Sequence, residues 1–423
     1  MSSLEVELGG VDFTGCAIEG SVTRRLNRPA LASIKIPMDC AAGCGAPGER
    51  LKITMNSDLK FHGMIMDWEL DGGEDTGYIT MNAMDPMELW MHRPARDGPD
   101  SSDPGDFSNP GMFTGVDFSP TGSNVMEQML LQSEDGSDQR LGEGPLFLTL
   151  GTFEPGGTEL FAGPQDWPMT IAEVMNLMVS SGELDVVITP TDPGGGVMGT
   201  VDTYNGDFGT DLSGSVVFEY GTGALNVRAV RWNRDMSNIT NKLWYYGGPK
   251  VGTLADPDAI QHWCWNITGD DCCFTGVDNP PACECTSPDQ AAMEEAFYGA
   301  VDPCRDLSRT DFGVRMDVQI FDGAGGNCIG PDGEPVDRDL YRWLWLAESW
   351  ARCEPRNLIH VTPIRGLAVD TFDIGDLVGI TLGAGICGGI SGAQRVYQYT
   401  ISWNADGPFE LSELQTSSDV GIP

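Results

Sequence analysis

Apolar residues recur with a period of two near both ends of this chain, and no other feature narrows the possible folds as far. In LKITMNSDLKFHGMIMDWELDGGEDTGYITMNAM (51–84), Leu51, Ile53 and Met55 alternate with Lys52 and Thr54. Met64, Met66, Trp68 and Leu70 alternate with Ile65, Asp67 and Glu69, and Ile79, Met81 and Ala83 alternate with Thr80 and Asn82. Strand side chains point alternately to opposite faces, so each run predicts a strand with one face built for burial. DGGEDTG (71–77) supplies turn residues between two of them. Near the C-terminus, FDIGDLVGITLGAGICGGISGAQRVYQYTISWNADGPFELSEL (372–414) reads as a second β module, with Tyr397, Tyr399, Ile401 and Trp403 set against Gln398, Thr400 and Ser402. Sheet edges must be paired, covered or closed, so β modules at both ends suit a ring or tube. The pattern points to assembly more than to chemistry.

Helix signals are fewer. Asp85-Pro86-Met87-Glu88 predicts a capped helix start: Asp85 as N-cap, Pro86 in the first helical position and Glu88 closing a capping box. His92 and Arg93 suit its negative end, and Pro94 stops it. A helix is expected over 123–133, and a stronger one after the Thr170-x-x-Glu173 capping box, with Ile171, Val174, Met175 and Met178 in one stripe. LDVVITP (184–190) reads as a buried strand, and 215–248 as a succession of strands. DQAAMEEAFYG (289–299) and DRDLYRWLWLAESWARCEP (337–355) read as helices. The fold class expected is mainly β with a few helices (α+β): two tube-like β-barrel modules plus a Cys-rich insertion. The expected divisions are 1–96, a first β module with its capped helix; 97–214, a loop-rich α+β subdomain; 215–255, strands leading to the second module; 256–335, the insertion; and 336–423, a helix and closing strands.

Composition excludes several classes of function. The 423 residues carry 24 basic and 63 acidic side chains, a net charge of −39, with 55 Gly and 27 Pro. Such a chain repels nucleic acid and anionic membrane surfaces instead of gripping them. The carboxylates keep a surface soluble; in a ring they also suit a bore through which DNA slides without sticking. MSSLEVELGG has neither a basic start nor an apolar core, so no signal peptide is expected. No apolar run reaches the roughly 18–20 residues that cross a bilayer.

The cysteines concentrate in one region. Cys264, Cys272, Cys273, Cys283, Cys285 and Cys304 fall close together, which allows a disulfide-stapled insertion, free thiols or a metal knot. Cys40 and Cys44 have ligand spacing but no second pair or nearby His. Asp97, Asp100, Asp103 and Asp106 recur every third residue but lack the order and terminal Glu of a calcium loop. Gly383-x-Gly385-x-x-Gly388 matches a dinucleotide fingerprint by letters, yet a strand follows where a helix N-terminus is needed, so a hairpin loop is expected. His62, His92, His262 and His360 form no metalloprotease motif; His62 and His92 read as structural, and His262 beside Cys264 is the one candidate metal pair, at a spacing too short to favour it. The sequons at Asn238 and Asn266 carry little weight without a signal peptide. The sequence therefore assigns no catalytic, cofactor-binding or metal-binding residue and no cofactor. Gly375-Asp376 is expected to turn into a strand, and Arg395 to be a structural partner for a carboxylate.

GMIMDW (63–68), followed by YITMNAMDPMELW (78–90) leading into a helix, resembles the opening of tail hub proteins of long-tailed bacteriophages. These are often labelled minor tail proteins and are similar to contractile-tail baseplate hubs. VFEYGTGALNVRAVRWNRDMSNITNKLWYYGG (217–248) resembles their middle stretch, and FDIGDLVGITL with AQRVYQYTISWNADGPFELSEL their closing strands. The resemblance implies a homotrimer with two tube-like barrels per chain, in pseudo-sixfold symmetry, at the tail tip of a virion and made in the host cytoplasm. Its implied partners are tail-tube or distal tail proteins above and fibre or receptor-binding proteins below, with DNA passing through the lumen unbound. The Cys-rich 256–335 region has no counterpart in that family. Two rival functions are a receptor-binding adhesin, with Trp263 and Trp265 as the place to look, and a tail-associated cell-wall hydrolase using two carboxylates in a cleft.

Overall fold

The structure is a computed structural model. It describes residues 3–40, 48–72, 77–93, 122–134, 147–155, 170–180, 184–206, 208–221, 226–235, 242–248, 263–266, 273–274, 316–322, 356–363, 371–383, 385, 389–404 and 409–417. The expected helices at 289–299 and 337–355, the Asp-rich stretch and most of the Cys-rich region lie outside the described residues. The chain divides into two compact units, residues 1–233 with 357–423, and residues 234–356. The fold is mainly β with few helices.

In chain order the strands of the first stretch are β1 (Leu4–Leu8), β2 (Val11–Asp12), β3 (Glu19–Arg25), β4 (Leu31–Pro37), β5 (Arg50–Met55), β6 (Asp58–Gly72) and β7 (Gly77–Met84). Then follow α1 (Gly122–Glu134), β8 (Leu148–Phe153), α2 (Ile171–Ser180), β9 (Asp185–Pro190), β10 (Gly199–Tyr204), β11 (Val217–Tyr220) and β12 (Val227–Asp235). The second unit holds β13 (Lys242–Gly248), β14 (Trp263–Asn266), β15 (Cys273–Phe274) and β16 (Met316–Asp322), paired in the order β15-β14-β13-β16. The chain closes with β17 (Arg356–Pro363), β18 (Leu377–Leu382), β19 (Ile390–Asn404) and β20 (Glu410–Ser417).

Among the described residues, thirteen strands join in one sheet ordered β12-β17-β20-β19-β3-β4-β7-β6-β5-β1-β2, with β18 pairing β19 and β11 beside it. The two ends of the sequence therefore meet, because β19 pairs antiparallel with β3 from Gln398↔Arg25 to Asn404↔Glu19. The halves repeat one another. β4-β7-β6-β5 has its match in β17-β20-β19-β18, and the long strand of each half is bulged at the same place. The register slips between Ile65 and Asp67 in β6 and between Val396 and Gln398 in β19. Beyond the bulge, Trp68 faces Met81 and Glu69 faces Thr80, just as Tyr399 faces Leu414 and Thr400 faces Glu413. In this correspondence β12 takes the place of β3.

Alternation explains the core. Leu51, Ile53, Met55, Ile34, Ile36, Met81, Val22 and Ile401 are buried on one face, and their strand neighbours are not. The distal half of β6 departs from its sequence reading. Met66, Trp68 and Leu70 are 38%, 49% and 51% exposed. The cause is topological: β6 pairs β5 as far as Met64, Ile65 exchanges backbone bonds with Gly48 and Glu49, and beyond it the described strand paired with β6 is β7. Past the bulge the strand is an edge, and no described strand lies against it.

The capped turn after β7 also differs. Pro86–His92 is a 3-10 helix, not an α-helix. Asp85 caps it as expected, accepting the Met87 amide at 2.9 Å. The Asp85 amide donates to Ala30 O at 3.1 Å, so Glu88 is not needed for the return bond of a capping box. At α2 the box is complete: Thr170 N donates to Glu173 Oε2 at 2.6 Å and Glu173 N to Thr170 Oγ1 at 3.2 Å. Cys16 is disulfide-bonded to Cys40, which removes Cys40 from any ligand pair with Cys44. No helix among the described residues is long and apolar enough to cross a membrane.

Candidate assembly surface

The face of the large sheet opposite the core is polar across both halves. Crossing the joint between the halves, the register places Asp67 beside Asn82, Asn82 beside Ser33, Ser33 beside Ser21 and Ser21 beside Ser402. One step along, Glu69, Thr80 and Lys35 line up, followed by Glu19 and Asn404. On the far side, Thr400 neighbours Glu413 and Ser402 neighbours Glu410. These small hydroxyls, amides and carboxylates offer little apolar area, Leu31, Tyr78 and Met84 lie on the same face beyond these rows, and Lys35 and Arg25 are among its cations. Thr23 Oγ1 and Thr400 Oγ1, 3.0 Å apart, link the halves on this face, as does Arg25 Nε donating to Gln398 Oε1 at 3.1 Å.

A buried polar joint fixes the two halves from behind. Arg395 donates through Nη2 to Asp185 Oδ2 at 2.5 Å and to Phe208 O at 2.7 Å, and through Nη1 to Gly206 O at 3.1 Å. Both side chains are buried, so this pair must be well satisfied to be tolerated. Asp185 accepts further bonds from Phe208 N and Asn27 Nδ2, at 3.1 and 3.2 Å. Asn27 adopts positive φ and exchanges backbone-like bonds with Val186, its Oδ1 accepting Val186 N at 2.7 Å. One carboxylate therefore ties the β3–β4 turn, the segment after β10 and β19 together. Arg395 is the carboxylate partner expected from sequence, and Asp185 the carboxylate that sequence did not single out.

The other sequence candidates are scattered. His62 is buried, its Nδ1 2.8 Å from Thr191 O, and burial pushes its pKa down. Lys52 nearby bridges Asp192 at 2.6 Å and Glu7 at 3.0 Å, and its hydrogen bond to the Asp192 carboxylate raises its pKa. His92 is 3.6 Å from Glu88, and His360 Nδ1 is 3.4 Å from Glu413. His262 lies outside the described residues. Gly383 and Gly385 fall in the connection of the β18–β19 hairpin, where Leu382 pairs Ile390. Gly375 has φ of +85°, and Asp376 Oδ1 accepts Thr210 N at 2.7 Å just before β18. Cys264 and Cys273 are cross-strand partners of β14 and β15, and Asn266, Trp263 and Trp265 lie on β14. Cys272, Cys283, Cys285, Cys304 and Asn238 lie outside the described residues. Among the described residues no cluster of three or more His, Cys, Asp or Glu is placed to hold a metal ion.

Among the described residues Asp85 is a strongly perturbed carboxyl. It accepts Ala30 N at 2.8 Å as well as Met87 N, yet burial outweighs these bonds and the nearby Arg24, pushing its pKa up to about 7. Its role is to pin the β3–β4 turn to the 3-10 helix.

The residues that sequence reasoning missed are on the distal part of β6 and on β12. Met66, Trp68 and Leu70 were legible as apolar but read as core. Arg228 and Arg231 are exposed on β12, the end strand of the sheet, and edge position cannot be read from alternation.

No protein-family model and no curated protein sequence matches the chain. Solved structures do. A tail protein from Neisseria meningitidis MC58 superimposes with a TM-score of 0.55 at 10% identity, over 99% of this chain and 97% of that one. The 43 kDa tail protein of prophage MuSo2 from Shewanella oneidensis gives a TM-score of 0.52 at 14% identity, over 98% of each chain. At these identities what is shared is the fold, and it is shared along nearly the full length of both chains.

Proposed function

We propose that this chain is a structural tail-tip hub protein of a bacteriophage-like particle, and that three copies close into a ring that caps the tail tube. The ring connects the tube to receptor-binding parts and lets DNA pass. The observation that carries the reading is the polar sheet face, continuous across two repeated halves that pair through β19 and β3. Lining a bore is the use such a face suits. Carboxylates repel the phosphate backbone, and serine, threonine and asparagine give a moving duplex no apolar surface to hold. The sharing of fold with two tail proteins supports the same reading, as does the sequence resemblance to hub proteins. Six modules, two from each copy, match a sixfold tube to a threefold tip. No residue is assigned chemistry, and the protein's place is in the virion.

The test is native mass by light scattering with negative-stain class averages of the same sample. The reading expects a three-chain mass and particles with a central hole. A monomer at every concentration contradicts it.

A further inference from the structure

Among the described residues, the joint between β19 and β3 has no counterpart at the distal edge of β6 or at β12. By the repeat, β6 corresponds to β19 and β12 to β3. Met66, Trp68 and Leu70 then correspond to Tyr397, Tyr399 and Ile401. The latter are 7%, 3% and 0% exposed on a strand paired on both sides, whereas the former are more than a third exposed on an edge. The same face of the same strand is thus buried where a neighbouring module lies against it, and open where none does.

Charge distinguishes the candidates for the missing neighbour. Beyond the bulge β6 carries Asp67, Glu69 and Asp71, all exposed. β12 carries the exposed Arg228 and Arg231, in a chain with only 24 basic residues. Neither arginine forms an ion pair among the described residues. Two β6 edges brought together would oppose carboxylate to carboxylate, and two β12 edges guanidinium to guanidinium. Only β6 against β12 is attractive, so the signs reject isologous pairing and select a head-to-tail contact. At the inner joint a guanidinium occupies the matching place, with Arg25 of β3 donating to the neutral amide of Gln398, the residue that corresponds to Asp67.

We infer that the distal edge of β6 in one copy pairs antiparallel with β12 of the next copy, repeating between chains the β19–β3 joint within each chain. This rests on the ring reading and names its intermolecular contact. Met66, Trp68 and Leu70 become buried in that contact, and the carboxylates of β6 meet the arginines of β12. Repeated head to tail, one contact closes the ring without leaving an open sheet edge.

Charge exchange tests it in the full chain. One variant carries Asp67→Lys, Glu69→Lys and Asp71→Lys; another carries Arg228→Glu and Arg231→Glu; a third carries all five changes. Native mass is measured for each, with circular dichroism and thermal unfolding to confirm folding. Each partial variant is expected to stay folded and to lose the wild-type assembly. The fully exchanged chain is expected to regain it, since its edges again carry opposite signs. A mixture of the two partial variants is expected to yield two-chain species but no closed trimer, because a ring of three must place two like edges together. Partial variants that keep the wild-type ring overturn this contact and leave the ring reading standing, as does a folded five-change chain that stays dissociated. A wild type that never associates overturns the ring reading and the contact with it.

Discussion

Asp185 accepts three hydrogen bonds through its two oxygens, from Arg395 Nη2, Phe208 N and Asn27 Nδ2, and among the described residues it is the carboxylate that pairs the buried guanidinium of Arg395. Removing one member of a buried pair leaves the other charge desolvated, at a cost of about 3–5 kcal/mol. Asp185→Ala is therefore expected to lower unfolding free energy by about that amount in urea titrations; a loss below about 1 kcal/mol would mean that water satisfies Arg395 without it. Asp85 makes a pH-dependent contribution. Its pKa is raised by burial to about 7, above its unfolded value of 3.8. The folded state then holds its proton more tightly, so the contribution is fully present below the unfolded value and is lost as pH rises through about 7. Asp85→Asn is expected to flatten the decline in stability between those two values, measured by thermal unfolding across the range; an unchanged slope would assign the decline to other groups. His62 works in the opposite sense, with its lowered pKa giving stability that fades as pH falls below its usual value of 6.5. At this scale the sequence foretold the partner chemistry of Arg395 and the capping role of Asp85. It could not foretell burial, because Asp185 looks like any other of 63 acidic residues.

Elements were legible wherever alternation met a paired neighbour. β5, β7 and β19 bury the faces their sequences mark, and α2 starts at its capping box. β6 misled because alternation reports amphipathicity, and an amphipathic edge strand looks the same as an inner one. The joint between halves depends on close backbone approach at Gly20, where an added Cβ would collide with the Trp403 ring. Gly20 is paired with Trp403 across β3 and β19. Gly20→Ala is expected to destabilise the fold by about 1–3 kcal/mol through overpacking, read by chemical denaturation. A neutral result would show that Trp403 swings aside freely. The Cys16–Cys40 bridge closes 24 residues that include β3 and β4. Its loss in a Cys16→Ser, Cys40→Ser variant is expected to cost about 3 kcal/mol, with an equal stability under reducing and oxidising conditions as the contrary outcome for the native chain.

At the scale of the whole molecule, the β modules read at the two ends of the sequence show a repeated strand order, and the polar rows run through the joint between the repeats. The strands' joining into one sheet was not legible, since pairing across more than 370 residues of sequence leaves no local signal. The net charge of −39 gains a location for part of its carboxylates along that face, though not for those outside the described residues. The central claim is that the polar face lines the bore of a closed ring. A side-chain-resolution cryo-EM reconstruction of the assembled protein tests it most directly. The account predicts six β modules from three chains around a channel, with Glu69, Thr80, Ser33, Ser21 and Ser402 facing inward and Trp68 buried between copies. A ring with a basic or apolar bore, or with this face turned outward, would contradict it.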